Sequence, residues 1–161
     1  MCQYIHWLKN TSPTDQSEGE LTTDEWKSVI DQISRLALIS FTGGEPWVRP
    51  DFGELLAYAA AKHRVHFISN ATLLTEDRAE FCASLAPRRP GGRGLNFVGV
   101  SLDGPESLHD EIRGMPGGYR KATEGIGRLM EAKRRLGRAC PMLHVTTVIQ
   151  DANVDVLHEM P

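Results

Sequence analysis

The residues with the clearest capacity for chemistry lie in Thr42-Gly43-Gly44-Glu45-Pro46. Two glycines let the main chain turn sharply and let a ligand approach it closely. They leave backbone N–H and C=O groups open to that ligand. Glu45 adds a carboxylate at the same place, and Pro46 forbids further strand pairing. The turn follows Leu36–Phe41, an apolar run interrupted only by Ser40. Such a run predicts a strand buried on both faces, as in a parallel sheet. A carboxylate on a glycine turn at a strand's C-terminal end is where α/β folds keep ligands. An ordinary strand-to-helix turn with a solvated Glu uses the same residues, so the turn needs support from elsewhere.

That support is repetition. Arg64–Ser69 reads as a second strand and ends in Asn70-Ala71-Thr72. Asn96–Leu102 reads as a third and ends in Ser101-Leu102-Asp103-Gly104-Pro105, where Ser101 or Asp103 could equally cap a helix. Leu143–Ile149, rich in Val and Thr, is a fourth. Helical patterns separate them. Thr22 with Glu25 three residues on forms a capping box, and Trp26, Val29, Ile30 and Ile33 share one face. Phe52, Leu55, Leu56 and Ala59 give a second helix through Lys62 its apolar side. A third starts at Thr75 and carries Cys82 within its apolar set. A long helix follows the loop Met115–Gly118 and stops near Leu136 at Gly137, and Asn153 caps a last short one. Alternation of strand and helix implies a parallel sheet with right-handed crossovers. All strand C-termini then lie on one rim. A rim carrying a glycine turn, an amide, a hydroxyl and carboxylates suits a small molecule.

Composition narrows the classes. The chain has 161 residues, enough for one domain, and a net charge of -3, which argues against a nucleic-acid or membrane-surface partner. No stretch is apolar for the length of a membrane span and no signal peptide is visible, so a cytoplasmic location is expected. Cys2, Cys82 and Cys140 are odd in number, and no two have metal-binding spacing. His6, His66 and His144 stand isolated in the sequence and read as structural.

Phe41-Thr42-Gly43-Gly44-Glu45-Pro46, Ser69-Asn70-Ala71-Thr72, Val100-Ser101-Leu102-Asp103-Gly104 and His109–Gly114, in that order, resemble the radical S-adenosylmethionine (SAM) enzymes. The likeness covers nearly the whole chain and is greatest to the branch that modifies peptides and proteins. It implies a partial (β/α)6 barrel of the TIM type, represented here by about four βα units. It implies a [4Fe–4S] cluster held by a C-x3-C-x2-C loop, whose reduction cleaves SAM to a hydrogen-abstracting radical. The protein's part in such chemistry is to orient and shield the cofactor. An electron donor such as flavodoxin or ferredoxin and a peptide or protein substrate are implied as partners.

Carried over by the same likeness, Gly43, Gly44 and Glu45 meet the SAM amino group. Asn70 and Ser101 bond its ribose or carboxylate edge, with Asp103 assisting. Arg113 pairs with its carboxylate, a match for a guanidinium, unless it pairs with Glu111 or Asp110 instead. Val148 lies against adenine. Cys2, followed by Gln3-Tyr4, fits the third cluster cysteine. The first two cysteines, their strand and the end of the barrel have no counterpart in residues 1–161, which reads as a core fragment. The chain as given is therefore expected to bind no stable cluster and to be inactive. Two rival readings remain. One is an α/β module that has lost its cluster and binds a partner; the other is a doubly wound nucleotide-binding domain, for which no G-x-G-x-x-G follows a predicted strand.

Overall fold

The computed structural model describes residues 19–160; Cys2 and His6 lie outside them. Four strands form one sheet: β1 (Leu38–Phe41), β2 (Arg64–Ser69), β3 (Gly94–Ser101) and β4 (Met142–Thr146). Each is parallel to its neighbour, in the order β1-β2-β3-β4. Spatial order equal to chain order is what a βα barrel gives. A doubly wound sheet reverses direction at a switch point, so that rival reading does not hold for this sheet.

Helix α1 (Thr23–Gln32) begins with the expected capping box, Thr22 and Glu25 bonding reciprocally. Helices α2 (Phe52–Lys62), α3 (Glu76–Ser84) and α5 (Gly118–Arg135) connect the strands. Their apolar stripes, including Leu56, Ala59, Cys82, Ala122 and Leu129, bury against Val65, Phe67, Val98 and Val100 on one face of the sheet. Near the rim, Trp47, Phe52 and Phe67 pack edge to face, with centroids 4.9–6.2 Å apart. This aromatic knot is the floor under the glycine turn.

Three expectations change. The strand before the turn is not buried on both faces: Leu38 is 46% exposed, and Ser40 is exposed as well. Ile39 and Phe41 face the helices, Phe41 edge-on to Phe52 at 5.6 Å, whereas the opposite, concave face of the sheet carries no helix among the described residues. The segment after Pro105 forms helix α4 (Glu106–Arg113), capped by neither Ser101 nor Asp103, and ends at Gly114 in the left-handed conformation. Its charged sequence hid a short helix that contributes one buried residue, His109. Third, β3 starts two residues early, at Gly94, with a register shift at Val65/His66 opposite Asn96. The amide of buried Asn96 is spent inside the preceding loop, on Gly91 N–H and the Gly92 and Gly94 carbonyls. A polar residue that satisfies itself locally tolerates a buried bulge.

Candidate functional site: the C-terminal rim of the sheet

The rim begins at the glycine turn. Gly43 has φ 151°, a backbone state that favours glycine. Gly43 and Gly44 are exposed, and a Cβ built on either would meet nothing within 4 Å. Both residues border open space.

Glu45 is turned the other way. Its carboxylate accepts Ser69 Oγ–H at 2.9 Å, the Asn70 N–H at 2.7 Å and the Trp47 N–H at 3.2 Å. Burial pushes its pKa up, against the pull of those donors. The carboxylate thus fastens the end of β1 to the end of β2. Ser69, fully buried, was not singled out from the sequence, though its place just before Asn70 is the signal that could have found it. Asn70 spends its Oδ1 on the N–H and hydroxyl of Thr72, which leaves its Nδ2 for other partners. Ala71 then takes a left-handed φ of 57°. Gly125 of α5 permits this turn, since a Cβ there would lie 2.4 Å from the Ala71 carbonyl oxygen. Ser69 pairs with Val100 in register, so Asn70 and Ser101 end adjacent strands at the same level.

Asp103, Arg113 and Val148 also come together, as one internal network. Asp103 is fully buried. Its Oδ2 is 2.6 Å from Arg113 Nε, its Oδ1 accepts the Val148 N–H at 3.0 Å, and its own N–H donates to His109 Nδ1 at 3.1 Å. Arg113 therefore pairs with neither Glu111 nor Asp110. Asn153 does not cap a helix with its side chain; it donates to the Asp103 and Val148 carbonyls at 2.8 and 2.9 Å. The side chain of Val148 is half exposed. His109 and Arg113, four apart on α4, reach Asp103 together because i and i+4 share a helix face. Burial, then the Arg113 charge, lowers the His109 pKa, in keeping with Nδ1 acting as an acceptor.

Two groups are gathered on this rim, then: the glycine turn with Glu45, Ser69 and Asn70, and the Asp103 network with Arg113 and Val148. Ser101, at the end of β3, stands between them. A cleft of about 790 Å³ opens beside Gly43, Gly44 and Glu45 and runs along the edge of β1 against α1; Asn70 and Ser101 are not on its wall. The described thiols do not fit a cluster. Cys82 sits in the last turn of α3, fully buried, its thiol pushed up to about 12 by burial. Cys140 precedes β4, at the opposite end of the sheet from the rim. No described helix is long and apolar enough to cross a membrane.

Comparison with known proteins agrees with the fold. The curated relatives include an AdoMet-dependent heme synthase of Nitratidesulfovibrio vulgaris, 38% identical over 71% of this chain and 30% of that protein. A PqqA peptide cyclase of Bradyrhizobium diazoefficiens is 34% identical over 73% of this chain and 30% of that one. A mycofactocin maturase of Mycobacterium tuberculosis is 34% identical over 80% and 31%. The chain thus spans about a third of the length of these relatives. Among solved structures, His6-tagged anSMEcpe with bound AdoMet superposes with a TM-score of 0.62 at 19% identity, covering 92% of this chain and 40% of that one. The family model described as the radical SAM superfamily matches residues 4–155, and the chain belongs to that superfamily.

Proposed function

We propose that this chain forms the SAM-holding rim of a radical SAM enzyme. The observation that carries the reading is the exposed Gly43-Gly44 turn, held against the end of β2 by Glu45. The open carbonyls of Thr42–Gly44 suit the SAM ammonium, with Glu45 close behind as the anionic partner. The Asn70 Nδ2 and the Ser101 hydroxyl serve as donors for the ribose or carboxylate edge. Arg113, one-quarter exposed and oriented by Asp103, presents the rest of its guanidinium to the SAM carboxylate. In this reading Asp103 acts through Arg113, and Val148, tethered to Asp103 by its N–H, offers its side chain to adenine. Bound SAM supplies the hydrogen-abstracting chemistry of the family, and this chain binds, orients and shields it. Cys2 is the residue we assign to the cluster; the described residues supply no other ligand for it.

The substrate we propose is a peptide or protein. Supporting this are the peptide cyclase and maturase relatives and the similarity, TM-score 0.57, to anSMEcpe solved with AdoMet and the Kp18Cys peptide. A second reading, a tetrapyrrole substrate, is favoured by relatives named heme synthase and Fe-coproporphyrin III synthase, the latter 37% identical. In either case the electron donor is a flavodoxin or ferredoxin. Calorimetric titration with SAM tests the shared part. Asn70→Ala and Ser101→Ala each should weaken binding by about tenfold, the equivalent of one hydrogen bond of about 1.4 kcal/mol. Unchanged affinity in both variants would remove these residues from the site.

A further inference from the structure

The concave face of the sheet carries a second set of groups, well below the rim. Ser40 on β1, His66 on β2 and His144 on β4 share this face, with Phe97 and Gly99 of β3 between them. The histidines read as isolated in the sequence are neighbours in space. Their ring centroids are 5.2 Å apart and their planes are tilted by 37°. Ser40 Oγ lies 2.9 Å from His66 Nδ1, and the ring of Phe97 stands edge-on to His66.

Both Nε2 atoms lie close to one point. A Cβ built on Gly99 would lie 2.7 Å from His144 Nε2 and 3.3 Å from His66 Nε2. Glycine is what leaves that point open. His66 Nε2 is also buried without a hydrogen-bond partner among the described residues. A buried polar atom left unpaired carries a desolvation cost, and here the exposed ring of His144 lies beside it. When His66 Nδ1–H donates to Ser40, Nε2 keeps its lone pair, the arrangement by which a neighbouring group fixes the tautomer of a metal-binding histidine.

We propose that His66 and His144 form a two-imidazole site for a borderline divalent transition metal of the Zn²⁺, Ni²⁺ or Cu²⁺ class, bound by the two Nε2 atoms above Gly99. Imidazole donors select such metals over Mg²⁺ and Ca²⁺, which want oxygen. Among the described residues no cluster of three or more His, Cys, Asp or Glu forms that could hold a metal. Two protein ligands leave coordination positions open toward the concave face. The metal is therefore exchangeable and able to take a donor atom from a small molecule. The site stands apart from the SAM reading and does not require it.

Zn²⁺ alone is the probe, with the imidazole nitrogens followed by long-range ¹H–¹⁵N NMR on the whole chain. Site-resolved signals separate this pair from any metal taken up at Cys2. The Nε2 signals of His66 and His144 should move together and saturate, while exposed His158 stays. Gly99→Ala, which removes no donor, and His144→Gln, which alters an exposed ring, should each abolish the transition while the backbone amide spectrum stays folded. Ser40→Ala should weaken it by about tenfold. The proposal fails if Zn²⁺ moves only one of the rings or neither. It also fails if Gly99→Ala leaves the titration unchanged; should that variant not fold, His144→Gln decides alone.

Discussion

The Asp103–Arg113 pair allows a stability prediction with a built-in direction. Asp103 has no exposed surface, whereas the Arg113 side chain keeps 27% of its own. Removing one partner of a buried pair costs about 3–5 kcal/mol, because the other charge stays behind without compensation. The two halves of this pair are not equivalent. In Arg113→Met the stranded charge is a carboxylate sealed from water, with one N–H, from Val148, to hold it. That variant belongs at the upper end, about 4 kcal/mol. In Asp103→Asn the stranded guanidinium can turn its exposed edge to solvent, and the amide still accepts from Val148. Discounted for that hydration, the loss is about 2 kcal/mol. Equilibrium urea unfolding reads both. With a slope of about 2 kcal/mol per molar, the midpoint falls by about 2 M for Arg113→Met and about 1 M for Asp103→Asn. A reversed order, or an Arg113→Met midpoint within about 0.3 M of the parent at an unchanged slope, would refute the claim that this carboxylate is the costly member.

Other consequences are read more quickly. The folded-state pKa of His109 lies below its ordinary value, so the unfolded chain takes up the proton first as pH falls. Stability should decline on acidification through about pH 6.5 and stop declining below the folded pKa; His109→Asn, which keeps an acceptor for the Asp103 N–H, should remove this share of the slope in urea midpoints measured from pH 5 to 8. Gly125→Ala gains up to about 1 kcal/mol of helix propensity. It also places a methyl group 2.4 Å from the Ala71 oxygen and 3.2 Å from Leu74 Cβ. A net loss of about 1–3 kcal/mol is expected by thermal unfolding, together with weaker SAM binding as the Asn70 turn moves; a raised melting temperature would contradict the packing. Cys82, with its thiol near 12, should resist alkylation in the folded protein as mapped by mass spectrometry and react only in denaturant. Native labelling would show that α3 opens.

Much of the architecture was legible because it is written in local pattern. Short apolar runs and Val/Thr content marked the strands, one-sided apolar residues marked the long helices, and the Thr22/Glu25 box placed the start of α1 within a residue. The short charged helix α4 was hidden because its one buried residue, His109, is polar and leaves no apolar stripe to see. The exposed side of β1 was hidden for a different reason. An apolar run shows that a strand can be buried on both faces, but what covers each face is a tertiary fact. The rim residues were legible as strand ends, yet not their wiring. That Glu45 bonds Ser69 and the Asn70 N–H follows from which strands are neighbours, 24 or more residues apart along the chain; that Asp103 takes up Arg113 follows from helix α4, which brings Arg113 back over the end of β3. The His66–His144 contact was invisible for the same reason: the two rings meet across an intervening strand at a glycine, and nothing in either local sequence signals the other.

The central claim is that the glycine turn, Asn70 and Ser101 receive one SAM molecule. Backbone amide shifts recorded during a SAM titration of this chain address it most directly. The account predicts that the signals of Gly43, Gly44, Glu45, Asn70 and Ser101 move on a single saturable curve while those along α3 stay in place. Shifts confined to other parts of the sheet, or separate curves for the turn and for Ser101, would contradict it.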